Sequence, residues 1–123
     1  MLFRIYDIGG IGTTDSDVQE SIDNSDAAVY VFDVLTFDMN IKAVHDLLKN
    51  SSPLISKKKL PIVIISNKNN ESISTNLQNP IKKVIESYFG SEIKKMYVKM
   101  GRIGDQIFPV LQWIYNNTQK SSE

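Results

Sequence analysis

No cysteine occurs in the 123 residues. That excludes disulfides, thiolate catalysis and lipid attachment at a C-terminal cysteine. A single histidine, His45, is present. A histidine pair around a metal is therefore ruled out, and nothing argues for a Ser-His-Asp arrangement. His45 reads as a partly exposed structural residue. There is no excess of charge, with 14 basic and 14 acidic side chains. Composition thus gives no general reason to expect nucleic acid or an anionic membrane as a partner. No apolar run approaches the ~20 residues that span a bilayer. The N-terminus shows no apolar stretch between a basic end and a cleavage site. The expectation is a cytoplasmic protein with no direct membrane anchor.

Hydrophobic residues make up 41% of the chain, enough for the core of one compact domain. That domain is expected over 1–117, with a flexible tail over 118–123. Four strand-like runs alternate with four helix-like runs. The strands are Leu2 to Tyr6, Ala27 to Phe32, Leu60 to Ile65 with Pro61 at its entry, and a weaker Met96 to Lys99. The helices are Asp15 to Asp23, Asp38 to Lys49, a segment opened by Asn79-Pro80 and closed by Gly90, and Asp105 to Asn117. Ser51 to Lys59, with its three lysines, and the polar stretch Asn69 to Asn76 read as loops. Alternation of this kind implies an α/β fold, a parallel sheet with right-handed crossovers. Ligands bind at the carboxyl ends of strands in such sheets.

Two motifs fall at such ends. Leu2-Phe3-Arg4-Ile5-Tyr6-Asp7 runs into Ile8-Gly9-Gly10, and Asn67-Lys68-Asn69-Asn70 follows the third apolar run. In that order and at about that separation they resemble the D-x-x-G and N-K-x-D motifs of the Ras/Rab/Arf-like small GTPase family. The resemblance runs from about Leu2 to Asn117, with weaker support from Val31 to Val34, Thr36 to Asp38 and the last helix around Trp113. The motif that should come first, G-x-x-x-x-G-K-[ST], is absent from these 123 residues. The resemblance implies a P-loop GTPase-like parallel sheet with helices on both faces, missing the phosphate-loop strand.

Residue by residue, it implies Asp7 as the holder of a magnesium-bound water and Gly10 as an N–H donor to a γ-phosphate. Asn67, Lys68 and Asn70 stand at the guanine loop. Gly101, in Met100-Gly101-Arg102, aligns with the third nucleotide loop and could offer a backbone N–H to a base. GTP or GDP and magnesium are cofactors by resemblance only. The departures are chemical. Ile11 occupies the position of the glutamine that orients the attacking water, and its side chain neither donates nor accepts. Asn70 replaces the aspartate that accepts two guanine N–H groups. An amide has one acceptor oxygen, so a guanine donor would face another donor, at a cost of about 2–5 kcal/mol.

In the family the phosphate-loop strand lies between the strands that correspond to Leu2–Tyr6 and Ala27–Phe32. Those two runs are therefore expected either to pair directly or to stand one strand width apart. The functional expectation is a truncated small-GTPase-like domain with weak or no guanine-nucleotide binding. It would be inactive alone and serve as a protein-interaction module in signalling or trafficking. The alternative is a working GTPase whose phosphate loop comes from an upstream segment or a second chain. A phospho-acceptor domain using Asp7, Asp33, Ser66 and Lys99 is a distant third, because no second acidic residue stands beside Asp7.

Overall fold

The computed structural model describes residues 15–34, 36–67, 74–100 and 107–118, with the side chains of 15–18, 67, 74–79 and 100 outside that description. The order of elements is α1 (Asp15–Asp23), β1 (Ala28–Asp33), α2 (Ile41–Lys58), β2 (Ile62–Asn67), α3 (Ser74–Tyr88), β3 (Lys95–Met100) and α4 (Ile107–Thr118). The protein is an α/β structure around a three-stranded sheet of order β1-β2-β3, parallel throughout. The expected strand Leu2–Tyr6 lies outside the described residues.

β1 and β2 form where continuous apolar runs predict them, and β3 forms over the weaker run Met96 to Lys99. Ile62, Val63 and Ile64 of the central strand are fully buried, as β-branched residues covered on both faces should be. Pro61 stands just before β2, where its missing N–H costs nothing, and its carbonyl accepts from the Ala28 amide at 3.0 Å.

Alternation along the strands divides the core in two. On one face Tyr30, Phe32, Ile62 and Ile64 meet Ile22 of α1, Val44, Leu48 and Ile55 of α2, and Ile81 and Ile85 of α3. Tyr30 stacks on Phe32 at 6.0 Å, and Phe37 closes edge-on against Phe32 at 5.7 Å. On the other face Val63, Ile65 and Val98 lie under Val110, Trp113 and Ile114 of α4. The contact stripe of α4 is therefore Val110–Trp113–Ile114, spaced i, i+3, i+4. Ile107, the first residue of the helix, is 41% exposed.

Two expectations about helix boundaries are corrected. Ser51 to Lys59 is no loop, because α2 continues through it to Lys58 with Pro53 inside. The buried stripe Val44, Leu48, Ser51, Ser52, Ile55 explains the continuation. The serines are small enough to lie against the sheet, and Ser51 Oγ both donates to the Leu47 carbonyl at 2.7 Å and pairs with the Tyr30 hydroxyl at 2.6 Å. Packing of the stripe outweighs the ~3 kcal/mol penalty of an interior proline. Likewise Pro80 does not open α3, which begins at Ser74 and carries Pro80 inside. The segment 74–76, read as part of a loop, belongs to that helix.

α2 ends in a Schellman turn. Lys59 takes the left-handed conformation (φ 54°), and the Lys59 and Leu60 amides donate to the Ser56 and Ile55 carbonyls at 3.1 and 3.2 Å. This turn aims Lys58 at the end of α1. Its Nζ donates to the carbonyls of Ile22, Asp23 and Ser25 at 3.0, 2.8 and 3.0 Å. α1 has no basic residue in its own last turn, so Lys58 supplies the positive charge its carbonyl end favours.

Candidate functional site

The register of the sheet sets the geometry of its carboxyl edge. Asp33 stands opposite Asn67, and Asn67 opposite Met100, so the three strands end level. The segments leaving them begin at one edge of the sheet. The backbone of Asn67 is the last position of the central strand, and the rest of the Asn67–Asn70 motif leaves from there. Asp7, Gly10, Lys68, Asn70 and Gly101 lie outside the described residues, as does Ile11. Of the sequence-predicted site residues, Asn67 is therefore the one with a described backbone position.

Beside the carboxyl end of β1 is a shallow groove of about 220 Å³ that residue-type reasoning missed. Its apolar wall includes Val31, Phe37 and Leu47, and Asp33, Thr36 and Asn40 bring polar groups to it. The turn between β1 and α2 builds it. The Thr36 amide donates to the Asp33 carbonyl at 3.3 Å, and the Asn40 amide lies 3.1 Å from the Thr36 carbonyl and 3.2 Å from that of Phe37. Phe37 is drawn into the core by this turn, while Met39 is left 82% exposed. Such a groove can seat an apolar side chain with hydrogen-bonding groups nearby. Among the described residues no group of three or more His, Cys, Asp or Glu side chains is gathered around a possible cation.

Ser66 is buried in register with Phe32 and Lys99, and Lys99 is exposed. His45 is also exposed, and its Nδ1 pairs with the Tyr88 hydroxyl at 2.7 Å, linking α2 to α3. Two tyrosines are perturbed away from this edge. Burial pushes Tyr30 up to about 12, partly offset by its hydrogen bond to Ser51. Burial also raises Tyr97 to about 12, with the Glu86 charge adding to the effect. The Tyr97 hydroxyl is buried without a hydrogen-bond partner among the described residues, although Lys82 Nζ lies 5.5 Å from its ring centre. Both phenols sit in packed structure, so desolvation rather than a reaction centre accounts for them.

No helix among the described residues is long and apolar enough to cross a membrane. Compared with known proteins, the chain matches no family model, no curated protein and no solved structure.

Proposed function

We propose that these 123 residues, in which no phosphate-loop motif occurs, form a small-GTPase-like domain that is inactive alone, a pseudo-GTPase that works as a protein-interaction module in signalling or trafficking. The observation that carries this reading is the level carboxyl edge formed by Asp33, Asn67 and Met100 on parallel strands in chain order. The N-K motif opens at the carboxyl end of the middle strand, the edge of an open α/β sheet outside which ligands bind. The chemistry argues against turnover. Phosphates are held chiefly by backbone amides and the lysine of a phosphate loop, and that motif does not occur in these residues. Ile11 cannot orient water, and Asn70 offers guanine one acceptor where two are needed.

The test is GTP turnover by the purified chain with magnesium. No rate above the no-enzyme control is expected. Multiple turnover that Asp7→Ala abolishes would overturn the reading in favour of a complete GTPase.

A further inference from the structure

On the face that α4 serves, the sheet is covered in part. Val63, Ile65 and Val98 lie beneath the helix, whereas Val29 and Val31 of β1 are 46% and 59% exposed. Ile107 and Phe108, at the start of α4, are 41% and 81% exposed. These four are most of the large hydrophobic side chains exposed among the described residues, so the exposed apolar surface is concentrated here. No Asp, Glu, Lys or Arg occurs from Ile107 to Thr118.

Helix geometry brings the two sets together. Val110, Trp113 and Ile114 point at the sheet. Ile107, Leu111 and Tyr115 then form one flank of α4, and Pro109, Gln112 and Asn116 form the other. The second flank is solvated, with Gln112 Nε2 donating to Asn116 Oδ1 at 3.0 Å. Six residues separate β3 from α4, so the helix starts near the carboxyl edge and runs back against the strands. Right-handed crossovers place α2 and α3 on the opposite face. A right-handed helix running back beneath β2 and β3 therefore turns its Ile107–Leu111–Tyr115 flank towards β1. The two valines are the floor of an apolar step, that flank is its wall, and Phe108 projects at the outer corner.

We propose that two copies of the chain associate through this step, in a twofold dimer in which Phe108 of each packs on Val29 and Val31 of the other. Charge selects the occupant. A charged segment would be desolvated against the step with no opposite charge to meet, whereas a second copy brings an uncharged helix and its own projecting ring. Area agrees. The step is a patch of a few hundred Å², the size that marks an interaction site on a monomer. Two such patches bury on the order of 1,000 Å², the lower end of specific interfaces, so the dimer is reversible. Burial, charge and helix geometry carry this surface independently of the pseudo-GTPase reading.

Sedimentation velocity of the full chain over a concentration series tests this. A monomer–dimer equilibrium that closes at two copies is expected. Phe108→Glu should raise the dimer dissociation constant by about 30-fold or more, and Val31→Lys, on the other side of the contact, should do the same. Both side chains are exposed in the monomer, and amide exchange of the β2–β3 ladder checks that the fold survives. Mixing the two variants should recover association, because one contact is then native and the other pairs opposite charges. Gln112→Glu puts the same charge on the solvated flank and should leave the equilibrium within about twofold of the parent. Nuclear Overhauser contacts between labelled and unlabelled copies should link the Phe108 ring to the Val29 and Val31 methyls. A chain that stays monomeric throughout would overturn the proposal, as would a dimer that tolerates both variants or lacks the Phe108–valine contacts. Growth past two copies would overturn it in favour of a head-to-tail contact that does not close.

Discussion

Over Tyr30, Phe32, Ile62 and Ile64 three helices close one face of the sheet, whereas on the other face α4 covers Val63, Ile65 and Val98 and leaves Val29 and Val31 to solvent. The strands supply β-branched or aromatic side chains to both faces, so the difference does not come from strand composition. It comes from how many helices each face receives. A residue such as Val31 has the same intrinsic preference for a strand as its partner Ile65, yet only Ile65 is withdrawn from water by a helix. Apolar character in a strand sequence therefore reports the strand and does not by itself report burial.

That contrast should be largest in the response to truncation. Ile64 is fully buried on the three-helix face, and Ile64→Ala should cost about 2–5 kcal/mol through lost transfer energy and the cavity left behind. Val31→Ala should fall within about 0.5 kcal/mol of the parent, as for an exposed substitution. Denaturant unfolding of the two variants checks both values. Equal losses would mean that the face of Val31 is as tightly covered as that of Ile64.

The next effect concerns how the crowded face recruits α1. Lys58→Met keeps most of the side chain but removes the charge that reaches the Ile22, Asp23 and Ser25 carbonyls. A loss of about 1 kcal/mol is expected, discounted for the exposure of the ammonium. Faster amide exchange confined to α1 and its junction with α2 is the accompanying signature. Unchanged exchange in α1 would show that Ile22 alone holds the helix.

Two phenols give a smaller and opposite pair of effects. Tyr30→Phe removes the 2.6 Å bond to Ser51 in the three-helix core and should destabilise by about 1 kcal/mol. Tyr97→Phe removes a buried hydroxyl that has no partner among the described residues, so it should be neutral or slightly stabilising. Thermal melts of the two variants should shift in opposite directions or differ clearly in size.

The same phenols set an alkaline limit. Both fold with their neutral form favoured, so their pKa values rise from 10.0 to about 12. Their contribution is whole below pH 10 and declines as the pH climbs towards about 12, because the unfolded chain loses those protons first. Phenolate absorbance of the native protein, compared with that of Tyr30→Phe and Tyr97→Phe, should show these two phenols titrating well above the free value. Titration of Tyr30 and Tyr97 near 10 would contradict the burial described for them.

Much of this arrangement was legible in the residues. The apolar runs at Ala27–Phe32 and Leu60–Ile65 identify parallel strands, though one face of β1 is exposed at Val29 and Val31, and Pro61 marks the entry to β2. Ser51-Ser52-Pro53 has the composition of a break in α2, while the stripe that overrides it depends on contact with the sheet. Asn79-Pro80 matches a helix opening in isolation, although α3 begins at Ser74. Lys58 reads as part of a solvated loop because its acceptors lie 33 to 36 residues earlier in the chain. At the candidate site, the apolar run ends at Ile65, and register with the neighbouring strands carries β2 two polar residues further, to Asn67. The groove beside β1 was not legible, because it depends on Phe37 folding inward and Leu47 lying at its wall.

Calorimetric titration of the purified chain with GTP, GDP and xanthosine nucleotides, with and without magnesium, tests the central reading most directly. The pseudo-GTPase account predicts no tight, magnesium-dependent binding of GTP. It also predicts that any residual affinity favours xanthosine, whose extra carbonyl can meet the Asn70 amide N–H, and that Asn70→Asp moves the preference towards guanine. Tight magnesium-dependent GTP binding by the unaltered chain, with guanine preferred over xanthine, would contradict it.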